Sequence, residues 1–221
     1  MKINIAIDGP SAAGKSTIAD ILAKDLGYTH LDTGAMYRAV AYQTFKENLA
    51  IDDEEKIVEM ISRMDLDMKP DGRVILNGED ISNKIRTNEM SMGASNVSKL
   101  LNVRAALVKM QQAICAQGGY ILDGRDIGTV VLKDAPVKIF MVASAEARAG
   151  RRVAQNIEKG IEGDDYETIL QEIEKRDYQD SHRQNSPLKQ ADDAVLIDTS
   201  DLTIEQVVDK VMKLVKEKLG D

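Results

Sequence analysis

Gly9-Pro10-Ser11-Ala12-Ala13-Gly14-Lys15-Ser16-Thr17 is the stretch on which the reading of this chain turns. A short apolar run, Ile3 to Ile7, leads into it, and Ile18, Ile21, Leu22 and Leu26 follow at helical spacing up to Gly27. Glycines at both ends let the backbone turn sharply and bring successive N–H groups together around an anion. Lys15 adds a point charge for β- and γ-phosphates, and the Ser16 hydroxyl is a Mg²⁺ donor. The start of the helix contributes a partial positive charge in the same direction. A nucleoside triphosphate is the expected occupant of all nine residues from Gly9 to Thr17. What becomes of its phosphate has to come from the rest of the chain.

The 221 residues suit one α/β domain with insertions, and the 43% hydrophobic content can fill a core. No segment is apolar for long enough to predict a membrane span. Met1-Lys2 runs straight into the first strand, so no leader segment is expected. Cys115 is the only cysteine, which excludes an internal disulfide and fits a reducing cytoplasm. A net charge of −8 argues against non-specific nucleic-acid binding. Arginine is nevertheless concentrated: all eleven lie between Arg38 and Arg183, while only lysine serves beyond Asp201. The guanidinium offers phosphate a planar fork that an ammonium lacks.

Five apolar runs predict strands of one parallel sheet: Ile3–Ile7, Tyr28–Leu31, Tyr120–Leu122, Val137–Val142 and Ala194–Ile197. Helical patterns lie between them. In the last helix Ile204, Val207, Val208, Val211, Leu214 and Val215 share a face, with Gly220 beyond its end. The gap between the second and third strands breaks the alternation. It holds a helix after Asp52, a hairpin around Pro70-Asp71-Gly72, and a helical region from about Asn88 to Gln117. The expected organisation is a core of 1–32 and 102–221, an inserted subdomain of 33–101 with a small antiparallel sheet, and a lid near 148–165. The Gly160–Asp165 loop is the candidate moving part of that lid.

Further polar groups gather at strand ends, where ligands of such sheets bind. Asp32-Thr33-Gly34-Ala35-Met36-Tyr37-Arg38 offers a second anion site, or equally a capped helix with an exposed arginine. Asp123-Gly124-Arg125-Asp126 supplies a metal-side acid in Asp123, acting directly or through water, and a phosphate clamp in Arg125. Arg148 and Arg152 share a helix face after Ser144, as do Arg176, Asp180 and Arg183 on a later helix. The two histidines, His30 in a strand and His182 on a helix, read as structural or exposed, so no general base is evident. A phosphate acceptor needs none, because its second pKa is about 6. Two anions must instead be brought together by arginines and Mg²⁺.

Along nearly its whole length the chain resembles the bacterial cytidylate kinases. The resemblance is carried by the Ile7-Asp8-Gly9-Pro10-Ser11 opening, Asp32–Arg38, Gly78-Glu79-Asp80-Ile81 and Ile85-Arg86-Thr87. It continues through Asp123-Gly124-Arg125-Asp126-Ile127-Gly128-Thr129-Val130-Val131, Ala135–Phe140, Lys175-Arg176-Asp177 and Ser186-Pro187-Leu188. It implies a phosphate-loop fold with a five-stranded parallel sheet, and transfer from MgATP to CMP or dCMP by a monomer. Lys15, Arg125, Arg148, Arg152 and Arg176 would serve the transfer, with Arg151 a further lid arginine. Thr33, Arg38, Arg125 and Arg176 would hold the CMP phosphate, with Tyr37 and Asp123 beside them. Asp180, with Arg176 or Arg183, would hold the ribose; Ser95, Arg104 and Asp126 would read cytosine. Thr33 stands where serine is also usual, and Gln179 and Ser181 replace positions that can be basic. A kinase for UMP, AMP or shikimate, and a slowly hydrolysing switch protein, are the competing readings at this stage.

Overall fold

Ile5–Asp8 (β1) is buried throughout and ends in the phosphate loop; the computed structural model describes residues 2–158 and 165–219. Gly9 is forced by packing: a Cβ there would meet the Met141 carbonyl oxygen at 2.0 Å. The loop crosses the left-handed region at Ala12 (φ 58°) and Gly14 (φ 88°), then starts α1, Lys15–Leu26, with no side chain capping its N-terminus. The free N–H groups of that first turn are the helix's anion site. Gly27, also left-handed, ends α1, and Tyr28 N–H closes back on Ala23 O at 2.8 Å.

The order of elements continues with β2 (Thr29–Asp32), α2 (Thr33–Lys46), α3 (Glu54–Ser62), then β3 (Leu66–Met68), β4 (Val74–Leu76) and β5 (Glu79–Asp80). After these come α4 (Asn88–Val97), α5 (Leu101–Ile114), β6 (Tyr120–Gly124), β7 (Val137–Val142), α6 (Ala145–Glu158), α7 (Tyr166–His182), β8 (Val195–Asp198) and α8 (Ile204–Leu219). The main sheet runs β2-β6-β1-β7-β8, parallel at every pairing, and β3-β4-β5 form an antiparallel sheet of their own. One face of the main sheet packs Ile5, Ile7 and Ile139 against α1 and the Val207, Val211 and Val215 stripe of α8. The other packs Ala6, Leu31 and Leu122 against Met36 and Val40 of α2, Ile57 and Met60 of α3, and Val103 and Leu107 of α5. Burial on both faces accounts for the near-continuous apolar strands.

Four expectations shift. All five strands form, but β1, β2, β6 and β8 each run on through an aspartate, to Asp8, Asp32, Gly124 and Asp198. The hydrogen-bond ladder is backbone, so it outlasts the apolar run by which a strand is read. The helical region after Asn88 is two helices, because Leu100 is extended (φ −77°, ψ 121°) and Ser98 Oγ donates to Ser95 O at 2.8 Å. In α8, Ile204 is 48% exposed and lies outside the buried stripe. The hairpin gains a third strand through Asn77 and Gly78, both at positive φ, the pairing favoured in tight hairpin turns. Residues 160–164 of the expected lid loop, and Gly220, lie outside the described residues.

Candidate active site

The C-terminal ends of β1, β2 and β6 bring the polar groups together. Lys15 is 5% exposed, its Nζ donating to Pro10 O at 2.6 Å across the loop. Burial, with repulsion from Arg125, pulls its ammonium down to about 7. Ser16 Oγ donates to Asp123 Oδ2 at 2.9 Å, so the loop's hydroxyl and the acid ending β6 form one edge. Burial alone would raise the Asp123 carboxyl; the His30 hydrogen bond and charge outweigh it and hold it below its ordinary value. Both donors on this edge are hard oxygens, which suits Mg²⁺ bound through few protein groups and substrate phosphate.

Facing the loop is a second basic region. Asp32 caps α2 by accepting from Ala35 N–H at 2.9 Å and also binds Arg38 Nη2 at 2.8 Å. The capped-helix reading of this segment therefore holds for Asp32, and its arginine is tied back rather than splayed into solvent. Thr33 Oγ1 donates to Asp123 O at 2.7 Å, fastening α2 to β6. Arg125 Nε donates to Asp180 Oδ2 at 2.7 Å, which brings α7 over the same spot. Arg176 is drawn down to about 10 by burial and then by Arg125, with Arg38 and Arg152 adding to it. The buried Nε groups of Arg38 and Arg176 have no hydrogen-bond acceptor among the described residues. Crowded cations with unused buried donors are a site short of an anion.

Farther along lies a pocket of neutralised polar groups. Ser95, Arg104 and Asp126 are all buried, and Arg104 Nη2 pairs with Asp126 Oδ2. The break between α4 and α5 makes this possible, since Arg104 Nη1 also donates to Ser98 O at 3.2 Å. Tyr37 places its ring 5.7 Å from the Arg104 guanidinium, and burial raises its hydroxyl to about 12. Arg183 Nη2, 3.9 Å from Asp126 Oδ1, forms no hydrogen bond among the described residues. Asp180 is 5% exposed between Arg125 and Arg183.

The helix after β7 distributes its arginines unevenly. Ser144 Oγ accepts from Ala147 N–H at 3.1 Å and so caps α6. Arg148 is buried: it donates to Ser11 O at 3.1 Å and grips Asp177 through both terminal nitrogens, at 3.0 and 2.5 Å. It ties α6 and α7 to the phosphate loop. Arg151 binds the Thr199 and Ser200 carbonyls, away from that cluster. Arg152 is the one whose charge reaches Arg176.

Two groups escaped sequence reasoning. Asp8, raised by burial to about 6, accepts from Ile127 and Gly128 N–H at 2.7 Å each and so orients the turn carrying Asp126. His30 bridges two carboxylates, Nε2 to Asp123 Oδ1 at 2.7 Å and Nδ1 to Asp20 Oδ1 at 2.6 Å. Burial opposes its charge, yet those two bonds lift the imidazole to about 10. A polar residue within an apolar strand was the available signal; its partner depends on strand order, which adjacency in sequence does not give.

The chain has a five-stranded parallel sheet with a phosphate loop between β1 and α1, the fold of the phosphate-loop nucleotide-binding proteins. Its fold is similar to that of shikimate kinase from Bacteroides thetaiotaomicron, with a TM-score of 0.51 at 11% identity over 97% of this chain and 98% of that one. The family model for cytidylate kinase matches residues 5–217. Cytidylate kinase of Caldicellulosiruptor bescii is 53% identical over 96% of this chain and 95% of its own. That of Bacillus subtilis is 48% identical over 98% of each. The chain belongs to the cytidylate kinase family.

Proposed function

We infer that this chain transfers the γ-phosphoryl group of ATP to CMP and dCMP, giving ADP and CDP or dCDP. Family membership supports the reaction. The arrangement of Arg38, Arg125 and Arg176 opposite the phosphate loop is the observation that carries it. Buried guanidinium N–H groups without acceptors fit the phosphate of a second nucleotide.

In this reading Gly9–Thr17 cradles ATP, and Lys15 follows the phosphoryl group in transit. Ser16 and Asp123 would hold Mg²⁺, Asp123 directly or through water, and the ion would supply charge neutralisation for the donor's phosphates. Thr33, Arg38, Arg125 and Arg176 grip the acceptor phosphate, and Tyr37, beside Arg104, lines the nucleotide farther along. Asp180 and Arg183 serve the ribose. Ser95, Arg104 and Asp126 present a hydroxyl, a guanidinium and a carboxylate to cytosine, which offers an amino donor at N4 and acceptors at N3 and O2. Uracil would turn a carbonyl toward the carboxylate, leaving a mismatched buried pair.

Residues 33–101 serve as the acceptor subdomain on a core of 1–32 and 102–221, and residues 148–165 as a lid. Arg152 reaches the transferring group when that lid closes. The position of Arg148 supports a bracing role for it in the same closure. In this reading the chain acts as a monomer. The buried, free Cys115 supports a reducing, cytoplasmic setting. Among the described residues no helix is long and apolar enough to cross a membrane.

Phosphorus NMR of the protein with Mg²⁺ and ATP tests the reaction. CDP and ADP should form together on adding CMP, and ADP should accumulate little before it, since the arginines close on the phosphoryl group only around a filled site and then exclude water from it. ADP release at the same rate without CMP would contradict this.

A further inference from the structure

Ser16 and Asp20 lie four residues apart on α1 and so share a face of that helix. From Ser16 the polar contacts run to Asp123 on β6 (2.9 Å), then to His30 on β2 (2.7 Å), then back to Asp20 (2.6 Å). The ring starts and ends on α1. Three elements are thereby locked to one another at the edge where Ser16 meets Asp123.

We propose that His30 is a positioning residue for the metal side of the transfer site. It holds Oδ1 of Asp123 so that Oδ2 receives the Ser16 hydroxyl hydrogen and the lone pairs of Ser16 Oγ face the phosphate loop. The inference rests on the reading of Ser16 and Asp123 as the Mg²⁺ edge.

Each ring nitrogen lies within hydrogen-bond distance of a carboxylate oxygen, Nε2 of Asp123 and Nδ1 of Asp20, so the ring is held at both edges. That fixes the ring in plane and in rotation. The side chains of His30 and Asp123 are 12% and 6% exposed, whereas that of Asp20 is 69% exposed. The ring is therefore anchored from the solvent side and acts on the buried side. Without it, the buried Asp123 carboxylate could swing toward Lys15, whose Nζ is otherwise occupied by Pro10 O. Ser16 would then lose the acceptor that aims its hydroxyl. Partners one bond removed from a metal's ligands commonly change metal affinity by about 10- to 100-fold when removed.

The alternative is a buried ion pair that merely fastens β2 to β6. The two roles separate in binding rather than in rate. Calorimetry on the full chain would measure affinity for the non-hydrolysable β,γ-methylene analogue of ATP, with Mg²⁺ and with EDTA. In His30→Leu the gain in affinity given by Mg²⁺ should shrink by about tenfold, while affinity in EDTA stays as in the wild type. His30→Gln, which can still donate to Asp123 Oδ1, should recover most of the gain. Asp20→Asn should fall between the two, and it decides the matter if His30→Leu does not fold. In turnover, the Mg²⁺ concentration for half-maximal rate should rise with the KM for CMP unchanged.

A Mg²⁺ gain untouched in His30→Leu and Asp20→Asn, or affinities that fall equally with and without Mg²⁺, would overturn the proposal. Asp123→Asn separates the two layers of the argument. If it too keeps the full gain, the Ser16–Asp123 reading fails. If it loses the gain while the His30 variants keep it, only the role of His30 fails.

Discussion

Lys15 states in one side chain what the site is for. An ammonium held at about 7 by burial and by Arg125 is charged only partly in the free protein near neutral pH. Phosphate in the loop adds the missing opposite charge and restores the ordinary high value. Binding above pH 7 must then take up a proton, so affinity for ATP should fall as pH rises from 7 to 9, by at most about tenfold per pH unit. Calorimetry at pH 8 in buffers of different ionisation enthalpy reads this uptake directly; an enthalpy independent of buffer would contradict it. Asp126 would play the corresponding part for the base in the proposed function. It is buried and paired with Arg104, and Asp126→Asn exchanges one acceptor oxygen for a donor. That change should lower kcat/KM for CMP by roughly 10- to 100-fold, the size of one lost buried polar match, and narrow the preference over UMP. Steady-state kinetics on both nucleotides checks it.

At the level of elements, what could be read in the chain and what could not divides along a physical line. Period and punctuation revealed α1, the five strands and the hairpin, because those signals are local: Gly27 ends its helix and Pro70-Asp71-Gly72, with Gly72 at positive φ, turns its ribbon by their own backbone preference. The phosphate loop and the Asp123–Asp126 turn were legible for the same reason. Neighbours in space were not. His30 meets Asp123 because β2 pairs with β6, although their sequence positions are far apart. Arg148, expected with Arg152 among the arginines that serve the transfer, is held to Ser11 of the loop and Asp177 of the next helix, partners that its own helix does not reveal. Splitting the region after Asn88 into α4 and α5 likewise depends on what Arg104 finds across the cleft. Core packing then holds that split helix in place. Leu107, fully buried one turn beyond Arg104, packs with α3 and the sheet. Leu107→Ala should cost about 2–5 kcal/mol of stability, seen as a lower urea midpoint with an unchanged slope.

For the molecule as a whole, a net charge of −8 and a basic cleft are two sides of one arrangement. Acidic residues are spread over the outer surface, while Arg38, Arg125, Arg176 and Arg183 converge where β1, β2 and β6 end under α7. Two polyanions can be drawn together there without a general base, since the acceptor phosphate brings its own negative charge. In the proposed function, the loop after β1 would supply the donor half of that site, and α2, the Arg125 turn and α7 the acceptor half. The buried polar groups of α4, α5 and the Asp126 turn would then select the nucleotide. Parallel kinetics with CMP and UMP, following ADP at saturating MgATP, therefore address the account most directly. It predicts a kcat/KM for CMP at least about tenfold above that for UMP; equal efficiency with the two nucleotides would contradict it.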